Sequence, residues 1–182
     1  MFLDKMMQIR CALKKDLKSI QKVIEAAFSE EETKTISNLV ADLSTENILP
    51  AIKPLVADID HEVVGYICYS PVFFESAGSI SGYILNPLGV AKDYQRQGVG
   101  SGLIRAGINS LSNDGVDVLL VHGDPEFYGR LGFEAEIARF FVPPYPLEHP
   151  FGWLGMVLAG SAMPETPCKV AGVSALNKPN LW

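Results

Sequence analysis

Apolar positions recur at helical spacing early in the chain. In DLKSIQKVIEAAF (16–28), Leu17, Ile20, Val23, Ile24, Ala27 and Phe28 fall on one face, and Asp16 is placed to cap the N-terminus. Ahead of it, MMQIRCAL (6–13) reads as a short strand. After it, EEETKTISNLVADLSTE (30–46) reads as a second, weaker helix with acids at its start, where the macrodipole favours them. The period then switches. IKPLVADID (52–60) and VVGYICYSPVFF (63–74) are strands, with a hairpin turn expected at Asp60-His61-Glu62. SGYILNPLGVAK (81–92) is a further strand, interrupted at Asn86-Pro87. Proline cannot donate to a ladder, so a bulge or distortion is expected there.

The second half repeats these signals. Leu103, Ile104, Gly107, Ile108 and Leu111 share one face of a helix. VDVLLVHG (116–123) is short and continuously apolar, the mark of a buried strand. PEFYGRLGF (125–133) is a short helix, with Pro125 suited to its first position and Gly132 to its C-terminal end. WLGMVLA (153–159) is a late strand, and the chain after Pro164 is expected to end in a loop or an edge strand. The order is strand, two helices, three strands, helix, strand, helix, strands. This predicts a mixed sheet in a single α/β or α+β domain over residues 1–182.

Composition narrows the partners. Apolar residues make up 48% and charged residues 20%, which suits a packed globular chain and excludes a disordered one. A net charge of −6 argues against a broad electrostatic grip on nucleic acid. The three cysteines, Cys11, Cys68 and Cys168, are dispersed and form no CxxC pair. That disfavours a disulfide framework and a metal site and fits a reducing, cytoplasmic setting. MFLDKMMQIR has Asp4 early and no apolar core, so it does not read as a signal peptide. FGWLGMVLAGSAMP (151–164) is too short and glycine-rich to cross a bilayer, so no membrane partner is expected.

The chemistry concentrates in VAKDYQRQGVGSGLI (90–104), a glycine turn that opens a helix. Such turns bind phosphate through unpaired N–H groups and the helix dipole. A P-loop requires GxxxxGK[ST], and no lysine follows these glycines. The dinucleotide fingerprint requires GxGxxG in a first βα turn, and here GVGSG is followed by Leu103.

Gln95-Arg96-Gln97-Gly98-Val99-Gly100 instead matches Q/RxxGxG/A. LNPLGVAKDYQRQGVGSGLI resembles the strand–loop–helix of the GNAT superfamily of acetyltransferases. Further on, VLLVHGDPEFYGRLGFE is similar to that family's next block, with Tyr128, Gly132 and Phe133 as its Tyr-x-x-x-Gly-Phe, in wording nearest the YhbS-like branch. The resemblance covers roughly residues 7–160. It implies a mostly antiparallel central sheet with one splayed parallel strand pair, flanked by helices.

It also implies a function: direct transfer of an acetyl group from acetyl-CoA to a primary amine, with no metal. The backbone of Leu88, Gly89 and Val90 would pair with the pantetheine amides. The Val90 N–H would polarise the thioester carbonyl. Gln95 and Arg96 open the pyrophosphate loop, and the N–H groups of Gln97, Gly98, Val99, Gly100 and Ser101 would hold the diphosphate. Arg96 and Lys92 could add charge. Tyr128 is the expected general acid, since a phenol is protonated at neutral pH and can donate to a departing thiolate. No carboxylate lies on YILNPLGV, so the base stays open among His122, Asp124, Glu126 and a water chain. Tyr69, Phe73, Phe74, Tyr145 and Trp153 read as core aromatics before acceptor contacts. The acceptor is a small-molecule or protein amine, and a homodimer stays open. The rival reading is a non-catalytic acyl-CoA-binding or sensor domain on the same fold.

Overall fold

Each helix and strand read from the period of the apolar positions is present in the computed structural model, which describes residues 6–75, 78–158 and 163–182. In chain order the elements are β1 (Met7–Cys11), α1 (Leu17–Ala27), α2 (Glu30–Thr45), β2 (Lys53–Ile59), β3 (Glu62–Phe74), β4 (Gly82–Val90), α3 (Val99–Asn113), β5 (Val118–His122), α4 (Pro125–Gly129), α5 (Ala135–Ala138), β6 (Phe141–Val142), β7 (Trp153–Val157) and β8 (Cys168–Ala171). The sheet runs in the order β1-β2-β3-β4-β5-β7, and β8 joins both β3 and β6. It is mixed, parallel at β4–β5 and antiparallel at β1–β2 and β5–β7. The chain divides into two compact units. The first holds 6–45, Lys53–Cys68 and Pro87–Gly107; the second holds Glu46–Ile52, Tyr69–Asn86, 108–158 and 163–182.

In the first unit β1 pairs with β2 from Met7↔Ile59 to Cys11↔Leu55. The hairpin to β3 turns on two residues, Asp60 (φ 52°) and His61 (φ 67°). Positive φ at both is the primed turn whose twist matches the flanking strands. Glu62, expected in the turn, already belongs to β3. The core-facing residues of α1 (Ile20, Val23, Ile24) and α2 (Leu39, Val40, Leu43) are buried, as their spacing requires.

Asp16 sits at the N-cap position of α1, but its side chain does not cap that helix. It accepts instead from the Leu13 N–H (2.8 Å) and from both ends of the Arg10 guanidinium (2.7 and 3.0 Å), which also reaches Asp58 (3.3 Å). A planar, two-pronged cation outcompetes a single amide for a buried carboxylate. The Arg10 bond holds the Asp16 carboxyl below the usual carboxylate range, against the opposing effect of burial. A depressed folded-state pKa gives stability that is present above the unfolded value and lost as pH falls through the folded one. Asp16→Asn is therefore expected to cost about 2 kcal/mol at neutral pH, roughly 4–8 °C in Tm for a chain of this size. The gap from wild type should begin to narrow as pH falls below about 4 and go on narrowing through the lower folded-state value. Thermal melts at pH 7 and pH 3 read both, and a gap that stays constant would refute the assignment.

In the second unit β5 is buried from Val118 to Val121 between β4 and β7. The β4–β5 register runs from Gly82↔Val118 to Leu85↔Val121 and stops, one residue before Asn86-Pro87. The interruption expected at the proline does not break β4; what ends there is its pairing with β5. β5 continues against β7 to His122↔Trp153. The tail forms β8, which pairs with β3 at Phe73 and Phe74 and with β6 at Phe141 and Val142. Trp182 is buried, donating to the Leu176 carbonyl (2.9 Å). The late strand expected over 153–159 spans Trp153–Val157, and Ala159 lies outside the described residues.

Candidate functional site

In the first unit, the glycine turn has a backbone shaped for an anion. β4 delivers Leu88, Gly89 and Val90, a 3-10 turn follows at Lys92–Tyr94, and α3 begins at Val99. Arg96 (φ 58°) and Gly98 (φ 85°) both have positive φ. Alternating backbone sign of this kind turns successive N–H groups toward one concavity. A side chain at Gly98 would meet nothing within 4 Å, so it is the dihedral, not space, that requires glycine there. The first bond of α3 runs from the Gly102 N–H to the Gly98 carbonyl (2.8 Å). The N–H groups of Val99, Gly100 and Ser101 therefore precede the helical ladder. Arg96 and Lys92 are exposed and take no ion-pair partner among the described residues.

The two glutamines hold the turn from outside. The Gln95 amide donates to the Val90 carbonyl (2.9 Å), and the Gln97 amide donates to the Asp93 carbonyl (2.6 Å). The loop is thus tied back to the end of β4 by the side chain that begins the Q/RxxGxG/A pattern. Nothing in the spacing alone signalled that bracing contact.

In the second unit, Tyr128 lies on α4, which starts at Pro125 with Asp124 as its N-cap; the Asp124 carboxylate accepts from the Glu126 N–H (2.9 Å). The Tyr128 ring is edge-on to Phe127 (5.0 Å between centroids) and Phe133 (5.5 Å), and lies over Gly123, where no side chain would fit. Burial, and then the nearby Asp124 carboxylate, push its phenol well above the ordinary tyrosine value. Its hydroxyl takes no hydrogen-bond partner among the described residues and is not a sealed, unsatisfied atom. The group is a protonated donor with its hydrogen uncommitted.

The base candidates separate. Glu126 is an exposed ion-pair partner of Arg130 (2.8 Å), and Asp124 is committed as a cap. His122 ends β5, half-buried, with Nε2 2.9 Å from the His149 carbonyl. The aromatic candidates mostly serve the core. Tyr69 and Trp153 are buried, Trp153 donates to the Phe141 carbonyl (2.7 Å), and Phe74 packs on Phe141 (4.7 Å). Tyr145 donates to Asn177 (2.6 Å), and Phe73 alone of the five is exposed. No group of three or more His, Cys, Asp or Glu among the described residues could hold a metal ion. No described helix is long and apolar enough to cross a membrane.

A family model for the acetyltransferase (GNAT) domain matches residues 50–135, which include the glycine turn and Tyr128. The chain is similar to the uncharacterized N-acetyltransferase YjhQ of Escherichia coli K12, at 33% identity over 158 residues, 84% of this chain and 85% of that one. Its fold is similar to that of the GNAT family N-acetyltransferase YhbS from Escherichia coli in complex with CoA, with a TM-score of 0.85 and 26% identity over 98% of this chain and 96% of that one. It also matches a GNAT family acetyltransferase from Brucella melitensis in complex with acetyl-CoA, with a TM-score of 0.71 and 26% identity over 95% and 99% of the two chains. The chain belongs to the GNAT family of acetyltransferases.

Proposed function

We propose that the protein transfers the acetyl group of acetyl-CoA to a primary amine. The observation that carries this reading is the turn at Gln95 to Ser101. It combines positive φ at Arg96 and Gly98 with a helix start whose N–H groups precede the ladder. Those donors fit a diphosphate, which is what CoA presents. Two structural neighbours carry CoA and acetyl-CoA in the same fold. The backbone of Leu88, Gly89 and Val90 pairs with the pantetheine arm, and the Val90 N–H receives the thioester oxygen as it gains charge. Tyr128 gives its proton to the departing sulfur, a role supported by the raised pKa and uncommitted hydroxyl.

CoA at about 100 times its Kd is expected to stabilise the fold by about 2.7 kcal/mol, roughly 5–10 °C in Tm. ATP and NAD should give much smaller shifts, because the turn lacks their anchoring residues. Equal shifts would refute the cofactor reading. Release of free thiol from acetyl-CoA across a panel of polyamines, amino sugars, amino acids and peptides tests the transfer itself. A clear CoA shift with no release from any amine would favour a CoA-binding sensor instead.

A further inference from the structure

We infer that His122 is the general base of this transfer, with Nδ1 as the atom that takes the proton from the attacking amine. This deepens the acetyltransferase reading and rests on it. Four observations of the second unit converge.

First, His122 is the β5 residue at which pairing with β4 has ended. Leu85↔Val121 is the last β4–β5 pair, and His122 keeps only its β7 partner, Trp153. Its backbone edge on the β4 side is therefore not engaged in the parallel ladder. Second, its Nε2 lies 2.9 Å from the carbonyl oxygen of His149. A carbonyl has no hydrogen to give, so Nε2 carries one. In the neutral ring the lone pair is then on Nδ1, which takes no hydrogen-bond partner among the described residues. Imidazole is the side chain that accepts and returns a proton near neutral pH.

Third, the clamp that fixes this tautomer is built. The His149 carbonyl also receives the Gly152 N–H (2.9 Å), and the Gly152 carbonyl receives the Gly123 N–H (2.9 Å). A side chain at Gly152 would come within 2.7 Å of the Gly123 carbonyl and 3.2 Å of the His122 ring, so only glycine lets the turn close on the histidine. Fourth, Gly123, next to His122, is covered by the Tyr128 ring. Base and acid thus flank one residue. The competing carboxylates are spent, Asp124 as a cap and Glu126 on Arg130.

The step balances. The amine lone pair forms the N–C bond to the acetyl carbon, and the C–S bond breaks with its electron pair on sulfur. The nitrogen's surplus proton passes to His122 Nδ1, and the Tyr128 phenol protonates the sulfur. The imidazolium then loses its proton to solvent and the phenolate regains one, which leaves amide and free thiol. The titratable groups on neighbouring segments are His149 and Glu148 ahead of the clamp, and Asp124 and Tyr128 after β5.

His122→Gln is the direct test, because a glutamine amide can still donate to the His149 carbonyl but takes no proton at neutral pH. It is expected to lower kcat about 100-fold or more, with the CoA-induced rise in Tm unchanged. His122→Ala should recover part of its turnover when imidazole is added to solution, a rescue that a structural histidine would not give. Nitrogen NMR of the wild-type ring should read the Nε2–H tautomer. An active wild type matched by His122→Gln, absence of imidazole rescue, or an Nδ1–H tautomer would each overturn the assignment. Loss of the general-base effect on Glu148→Gln rather than on His122→Gln would overturn it too. Failure of the acetyltransferase reading shows separately, as a wild type that releases no thiol, and it would take this inference with it.

Discussion

Tyr128→Phe is expected to lower kcat about 100-fold or more while the protein stays folded and binds CoA as before. The separation follows from what the residue touches. Tyr128 is 8% exposed, and its contacts to Phe127, Phe133 and the Gly123 backbone are all made by the ring, which phenylalanine keeps. The hydroxyl makes no hydrogen bond to a described residue, so its removal orphans no partner and leaves stability near that of wild type. A drop in turnover then reports the proton and not the packing. The sign of the pKa shift sharpens this. Burial and the Asp124 carboxylate both disfavour the phenolate, so the acid form persists above the ordinary tyrosine value of about 10. Wild-type turnover should show no descending limb from this group through mildly alkaline pH. Thiol-release kinetics between pH 6 and 9.5, with melting curves on the same samples, make the comparison. Equal turnover for the two proteins would remove Tyr128 from the acid role.

The parts of the molecule set by local pattern were legible in the sequence. The helical faces of α1 and α3, the apolar run of β5 and the proline start of α4 each follow from residues close together in the chain. So does the glycine turn, because its positive φ at Gly98 and its helix start are local backbone events. What was not legible depends on distant partners. β6 has two residues, and it exists because Phe141 and Val142 pair with Cys168 and Lys169. Asp16 reads as a cap by position, yet Arg10 on β1 claims it. Gln95 opens the loop by motif, and the spacing gave no sign that its amide also ties that loop to the Val90 carbonyl. The clamp on His122 comes from a turn 27 residues away. Its one local sign is the turn-forming Pro150 between His149 and Gly152. Sequence spacing could nominate His122 but could not say which of its nitrogens is free.

The largest effect on CoA affinity is expected at Gly98, and a second glycine supplies the control. Gly98 (φ 85°) and Gly115 (φ 73°) both occupy backbone that L residues rarely adopt, and a side chain at either would meet nothing within 4 Å. Valine at each site therefore introduces similar backbone strain, about 1–3 kcal/mol, with no clash to confuse it. The consequences differ because the two turns do different work. Gly115 follows α3 and donates to the Ser112 carbonyl (3.0 Å), so Gly115→Val should lower Tm and leave CoA binding alone. On the proposed reading, the positive-φ conformer of Gly98 is the one that aims the N–H groups at the diphosphate. If the turn relaxes to negative φ, binding must restore it, and the apparent Kd rises by the inverse of the competent fraction. The strain converts to roughly a 5- to 150-fold weaker Kd for Gly98→Val, with kcat at saturating acetyl-CoA largely kept because the reacting groups are untouched. Titration calorimetry with CoA on both variants reads the difference directly. A Gly98→Val protein that binds CoA like wild type, or a Gly115→Val protein that loses affinity equally, would show that this turn is not the phosphate cradle.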